Sequence, residues 1–143
     1  MNLNQITVPS MDVVRSLQFY TALGLKLIVK AIPHYLRFEC PEGEATFSVH
    51  LVEKMPEGEG IYVYFECTDL DQRVQTLIDK GLYFYQLPVD QQWLWREARL
   101  KDPDGNTLIL YHAGENRKNP PWRWDEHKEE TKDEQGVDKR GRK

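Results

Sequence analysis

Cys40 and Cys67 are the only thiols in this 143-residue chain, and they form neither a CxxC pair nor half of a four-ligand spacing. That excludes a disulfide framework and a zinc ribbon and leaves two ordinary buried thiols. Basic excess is also lacking. With 19 Lys and Arg against 23 Asp and Glu the formal net charge is -4, so no broad positive field draws the chain to nucleic acid or an anionic membrane. Small molecules or other proteins remain as partners. No apolar run approaches a membrane span, and Met1 to Gln5 lack the basic start and apolar core of a signal peptide, so the chain reads as cytoplasmic. GxSxG, GxxxxGK[ST] and a GxGxxG at a strand-to-helix junction are all missing, which removes an elbow serine and a phosphate-cradling loop from consideration.

What is present is enough apolar material, 40% of residues, to build a real core. Residues 3–8 alternate as a strand, with Leu3, Gln5 and Thr7 on one face and Asn4, Ile6 and Val8 on the other. Ser10 is placed to cap a helix over 11–22, which Val13, Val14, Leu17 and Tyr20 pattern at helical spacing and Gly24 ends. Strands follow over 25–31, 35–40 and 45–53, separated by Pro33 and by Pro41-Glu42-Gly43. After the polar connector 55–60 the order repeats: a strand over 61–67, Thr68 as cap of a helix to Lys80, then strands over 82–86, 93–101 and 106–112. The last two strands are joined by Asp102-Pro103-Asp104-Gly105, a strong turn signal.

The repetition is visible in the numbering. Asp12 to Asp69 and Gly24-Leu25 to Gly81-Leu82 are both separated by 57 residues, so one βαβββ unit occurs twice. Module one covers residues 1–54 and module two 60–114 of a single domain, 1–114. Residues 115–124 form a Pro/Trp-rich extension expected to dock on the body or on another subunit. Residues 125–143 are almost all charged or polar and read as a disordered tail.

The run Val8-Pro9-Ser10-Met11-Asp12-Val13-Val14-Arg15-Ser16-Leu17-Gln18-Phe19-Tyr20, with Leu23-Gly24-Leu25 behind it, resembles the first helix of the vicinal oxygen chelate superfamily. Asp102-Pro103-Asp104-Gly105-Asn106 is similar to that superfamily's turn before its last strand. The superfamily includes glyoxalase I, bleomycin-resistance proteins, fosfomycin-resistance enzymes and extradiol dioxygenases. The resemblance implies an α+β fold, two βαβββ modules forming a cupped mixed sheet around a ligand pocket, and a homodimer. It does not fix the activity, because this scaffold hosts enzymes and non-catalytic binders alike.

In metal-dependent relatives, four ligands come from the first, fourth, fifth and eighth strands. The resemblance places Gln5, His50, Tyr62 and Ile109 there. Ile109 has no donor atom and a neutral Tyr is a poor ligand for nickel or zinc, so the standard site is not expected. A shifted set, His50 and Gln5 with Glu97 or Glu66, is the alternative; the plain reading of His50 is a hydrogen-bonded pocket or edge histidine. Strand alternation turns Trp95, Glu97 and Arg99 to one face and Ala98 and Leu100 to the helices. Glu97 and Arg99 are then either polar contacts for a ligand or partners of each other. Tyr62, Tyr64, Trp93, Trp95 and Tyr111 are either walls for a flat apolar ligand or ordinary packing aromatics.

Three functions fit these residues. The first is metal-independent capture of a small, partly apolar compound, in the manner of bleomycin-resistance proteins. The second is a glyoxalase-, dioxygenase- or thiol-transferase-type enzyme with the shifted ligand set, in which a divalent metal polarises adjacent substrate oxygens. The third is a protein-interaction module that uses the C-terminal Trp pair.

Overall fold

The computed structural model describes residues 1–127; the expectation of a disordered tail falls mostly on residues 128–143, outside the described residues. The elements run β1 (Gln5–Ser10), α1 (Val13–Leu23), β2 (Lys26–Ala31), β3 (Tyr35–Glu39), β4 (Thr46–Leu51), β5 (Tyr62–Glu66), α2 (Leu70–Asp79), β6 (Phe84–Asp90), β7 (Arg96–Lys101) and β8 (Thr107–His112), followed by a short 3-10 turn, Gly114–Arg117. Each βαβββ module forms its own four-stranded sheet, ordered β1-β4-β3-β2 and β5-β8-β7-β6. In both, the first strand runs parallel to the last and the remaining pairs are antiparallel. The crossover helix between the first strand and the rest is what permits that parallel pair.

Alternation explains which residues meet. Ile6 and Val8 on β1, Leu36 and Phe38 on β3, and Phe47 and Val49 on β4 face α1; Val63 and Phe65 on β5, Ala98 and Leu100 on β7, and Leu108 and Leu110 on β8 face α2. These residues belong to one continuous cluster with Val13, Tyr20, Val74 and Leu77 of the helices. The ring of Tyr20 lies 4.6 Å from that of Phe47, which in turn lies 5.8 Å from Phe65 of the other module. Each of these large side chains contributes roughly 1.5–3 kcal/mol by leaving water. Because both sheets direct their helix-covered faces into this shared core, their other faces point outward.

The Asp102-Pro103-Asp104-Gly105-Asn106 turn joins the modules. Asp102 folds the turn on itself, accepting from the Asp104 and Asn106 amides, both at 2.9 Å, and it also accepts the Tyr20 hydroxyl at 2.6 Å. Asp104 reaches the β1–α1 junction, where it accepts from Ser10 Oγ at 2.6 Å, the Met11 amide at 2.9 Å, Arg15 Nη2 at 2.8 Å and Ser16 Oγ at 3.3 Å. Four donors around one nearly buried carboxylate make a strong, directional clamp.

Several boundaries differ from the sequence expectation. Asp12, not Ser10, caps α1, accepting from the Arg15 amide at 3.1 Å; Ser10 is committed to Asp104 instead. Asp69, not Thr68, holds the cap position of α2 and makes no side-chain cap bond. β6 runs on to Asp90 through Pro88, which is tolerated because β6 is an edge strand with irregular register there. β7 begins at Arg96 rather than Trp93, because Leu94 adopts φ 67° in a tight turn closed by Leu94 N to Gln91 O at 3.0 Å.

Candidate functional site

The outward face of module two gathers Tyr62, Tyr64, Trp95, Glu97, Arg99, Ile109 and Tyr111, of which strand alternation turns Trp95, Glu97 and Arg99 to one face. Cross-strand register explains the arrangement: Tyr64 lies beside Ile109 on β8, Arg99 beside Ile109 from the other side, and Glu97 beside Tyr111. The rings pack on one another more than they line an open cup. Trp95 stacks on Tyr111 with centroids 4.7 Å apart and planes at 22°, and Tyr64 stands edge-on to both, at 5.7 Å and 5.4 Å. Trp95, Ile109 and Tyr111 are buried, while Tyr62 is exposed and Tyr64 half-buried. Part of the cover comes from the C-terminal extension, where Trp95 Nε1 donates to Asn116 O at 3.3 Å.

Glu97 and Arg99 do pair, at 3.2 Å. Glu97 is wholly buried and also accepts Trp93 Nε1 at 2.8 Å. Burial opposes the charge on the Arg99 guanidinium, but the bond to Glu97 and the Coulombic attraction of its carboxylate outweigh that and raise its pKa. The guanidinium sits 5.6 Å from the centre of the Tyr62 ring, and its Nε is buried without a hydrogen-bond partner. An unpaired N–H of this kind costs free energy until an acceptor arrives. Tyr62 donates its hydroxyl to Glu59 at 2.8 Å, the bond that mainly raises its pKa.

The shifted metal set is not assembled. Gln5 pairs in register with Thr46, whereas His50 pairs with Pro9, four residues further along parallel strands and roughly 13 Å away at about 3.3 Å per residue. Gln5 Oε1 accepts the Thr46 hydroxyl at 2.8 Å, and His50 is an exposed residue near the end of β4. Both lie on the module-one sheet. Glu66 accepts from the Ala113 and Gly114 amides at 3.1 Å and 3.0 Å, and Glu97 is held by Trp93 and Arg99. Among the described residues no three His, Cys, Asp or Glu side chains gather to hold a metal ion. The expectation placed these groups together from strand order alone, without the register of the β1–β4 pair.

A second feature had no signal in the sequence. A cavity of about 410 Å³ lies between the Cys40–Ala45 turn, the end of α1 and the start of α2; Leu23, Leu25, Phe65, Leu110 and Arg73 are among its walls. Both cysteines face it. Burial raises both thiols, Cys67 to about 11, so they are protonated and weakly nucleophilic near neutral pH.

The family model for the glyoxalase/bleomycin resistance protein/dioxygenase superfamily matches residues 2–110. The chain belongs to that superfamily. Solved structures agree on the fold. A glyoxalase/bleomycin resistance protein/dioxygenase from Nocardioides superposes with TM-score 0.66 at 22% identity, covering 79% of this chain and 83% of that one. A lactoylglutathione lyase from Agrobacterium tumefaciens gives 0.66 at 13% identity over 78% and 92% of the two chains. A bleomycin-binding protein complexed with bleomycin gives 0.63 at 20% identity over 78% and 98%. No curated protein sequence matches the chain significantly. At these identities the superpositions establish shared architecture, and the chemistry has to come from the residues.

Proposed function

We propose that this chain is a metal-independent small-molecule-binding protein of the cytoplasm that takes a flat, partly apolar compound on the outward face of module two. The observation that carries this reading is the chemistry at the four ligand positions: Gln5 and His50 stand four register steps apart, Tyr62 is bonded to Glu59, and Ile109 is apolar and buried. Tyr62, Tyr64 and Arg99 offer the contact surface, and the Trp95–Tyr111 stack forms its floor. The unpartnered Arg99 Nε favours a ligand with an acceptor atom at its edge. Similarity in fold to a bleomycin-binding protein supports capture of small molecules as the class of function.

The same reading includes a homodimer. The shared core covers neither outward face, that of module two being covered in part by the C-terminal extension, and the edge strand β6 exposes Tyr85, Leu87 and Val89, apolar surface that a second copy would cover. Light scattering should give twice the 16.9 kDa chain mass.

The test is metal content by mass spectrometry on untagged protein purified without chelators, paired with a screen of planar compounds by tryptophan fluorescence. Substoichiometric metal with saturable quenching is the expected outcome, with Arg99→Gln weakening it. Stoichiometric nickel, zinc, manganese or iron that disappears in His50→Ala would overturn it in favour of the metal enzyme.

A further inference from the structure

The two modules repeat not only their elements but their junctions, and the two junctions differ. Cys40-Pro41-Glu42-Gly43 after β3 is the counterpart of Asp102-Pro103-Asp104-Gly105 after β7; at the helix starts Cys67, Thr68 and Arg73 stand where Ser10, Met11 and Ser16 stand, 57 residues earlier. The module-two turn spans residues 102–106 between its paired strands, and the module-one turn is one residue longer, spanning 40–45. At the first junction Asp104 is inserted, its side chain only 2% exposed. At the second the equivalent acid, Glu42, is 64% exposed and reaches only Arg73 Nη2, at 3.4 Å. Where the first junction is plugged by a carboxylate, the second holds the 410 Å³ cavity.

Thr68 in place of Met11 adds a hydroxyl, but the other substitutions around the cavity make it less polar at depth and more cationic at its mouth. The buried Tyr20–Asp102 hydrogen bond has Leu77 and Cys40 as its counterparts, and the Ser16 hydroxyl is replaced by the Arg73 guanidinium. Arg73 is loosely held: its two acceptors, Glu42 at 3.4 Å and Asp69 at 3.7 Å, are both reached through Nη2 and both lie beyond the 2.7–2.9 Å of a well-formed charge-assisted bond. Glu66, also on the wall, is engaged by Ala113, Gly114 and Arg117. Volume and apolar lining match a small-ligand site.

We propose that this cavity is a second binding site, beside the outward face of module two and sharing Tyr64 with it, for a small apolar molecule bearing one carboxylate. The carboxylate pairs with Arg73 in the place that Asp104 fills at the twin junction, and the apolar body lies against Leu23, Leu25, Phe65 and Leu110. The ligand displaces the slack Glu42 contact and leaves the buried thiols unmodified.

The probe is sodium octanoate, with 1-octanol as its uncharged counterpart, titrated into the full chain and followed by amide NMR. Octanoate should shift residues 40–45 and 66–73 saturably and bind more tightly than octanol. Arg73→Gln should weaken octanoate about tenfold or more, the size of a lost charge-assisted pair, while leaving octanol and the rest of the spectrum unchanged; Glu42→Gln should tighten it. Ala45→Phe, which narrows the cavity from an exposed position, should weaken both probes. Absence of saturable shifts at millimolar octanoate, or equal binding of both probes with no effect of Arg73→Gln, overturns the proposal. Shifts confined to Tyr62, Trp95 and Arg99 overturn it too, while leaving the outward-face site standing.

Discussion

At the scale of single residues, burial sets the chemistry of the thiols, and it does so with a sign that can be measured. Cys67 is held by desolvation from its ordinary 9.0 up to about 11. Between those values the unfolded chain releases the thiol proton and the folded chain keeps it, so the folded state binds more protons and stability falls as pH rises across that window. Burial shifts Cys40 in the same direction. Cys67→Ala should therefore flatten the decline in stability between pH 9 and 11, read as the denaturant midpoint at each pH. Tyr20, whose hydroxyl is raised by burial and by the Asp102 carboxylate, and Tyr62, raised by its bond to Glu59, add to the decline above pH 10 and remain in the variant. An unchanged pH profile in the variant would show that Cys67 ionises as freely folded as unfolded.

Turns are the elements that distinguish the two modules, and their acids carry opposite predictions. Asp104→Ala removes one acceptor from the wholly buried Ser10 and Ser16 hydroxyls, from the Met11 amide and from Arg15. Ser10 and Ser16 retain each other at 2.8 Å, which limits the loss to about 2–3 kcal/mol. Glu42→Ala breaks only an exposed, long ion pair and should cost under about 1 kcal/mol. Equal destabilisation of the two variants by chemical denaturation would refute the asymmetry. The elements themselves were legible in the sequence, because the 57-residue offset repeats the helix stops at Gly24 and Gly81 and alternation sorted β7 correctly, Ala98 and Leu100 inward against Glu97 and Arg99 outward. The clamp was not legible: Asp104 and Ser10 are 94 residues apart, and the local signal of the turn speaks only for the hairpin it closes. The candidate site was legible as a set of residues on one face and not as a geometry. Alternation fixes the face of Trp95 and Tyr111 but not the rotamers that stack them, and strand order alone could not show that Gln5 and His50 stand at opposite ends of a parallel pair.

For the whole molecule, the shared core decides whether each module is a folding unit. Module one on its own would lose Phe65 from Phe47, Asp102 from the Tyr20 hydroxyl and Asp104 from the β1–α1 junction. Its sheet would then expose on the helix side much of the apolar surface that now faces module two. A chain of this length retains only a small margin between burial and conformational entropy, so a fragment of residues 1–58 should show neither dispersed amide resonances nor a cooperative melt. The intact chain offers a complementary test, because Trp93, Trp95, Trp122 and Trp124 all follow module one and intrinsic tryptophan fluorescence therefore reports on the second half alone. Far-UV circular dichroism reports on both sheets. If the core unfolds as one body, the two signals change at the same denaturant concentration. A fluorescence midpoint displaced from the dichroism midpoint would mean that the modules part before they unfold, and the Asp104 clamp would then be the contact whose loss separates them.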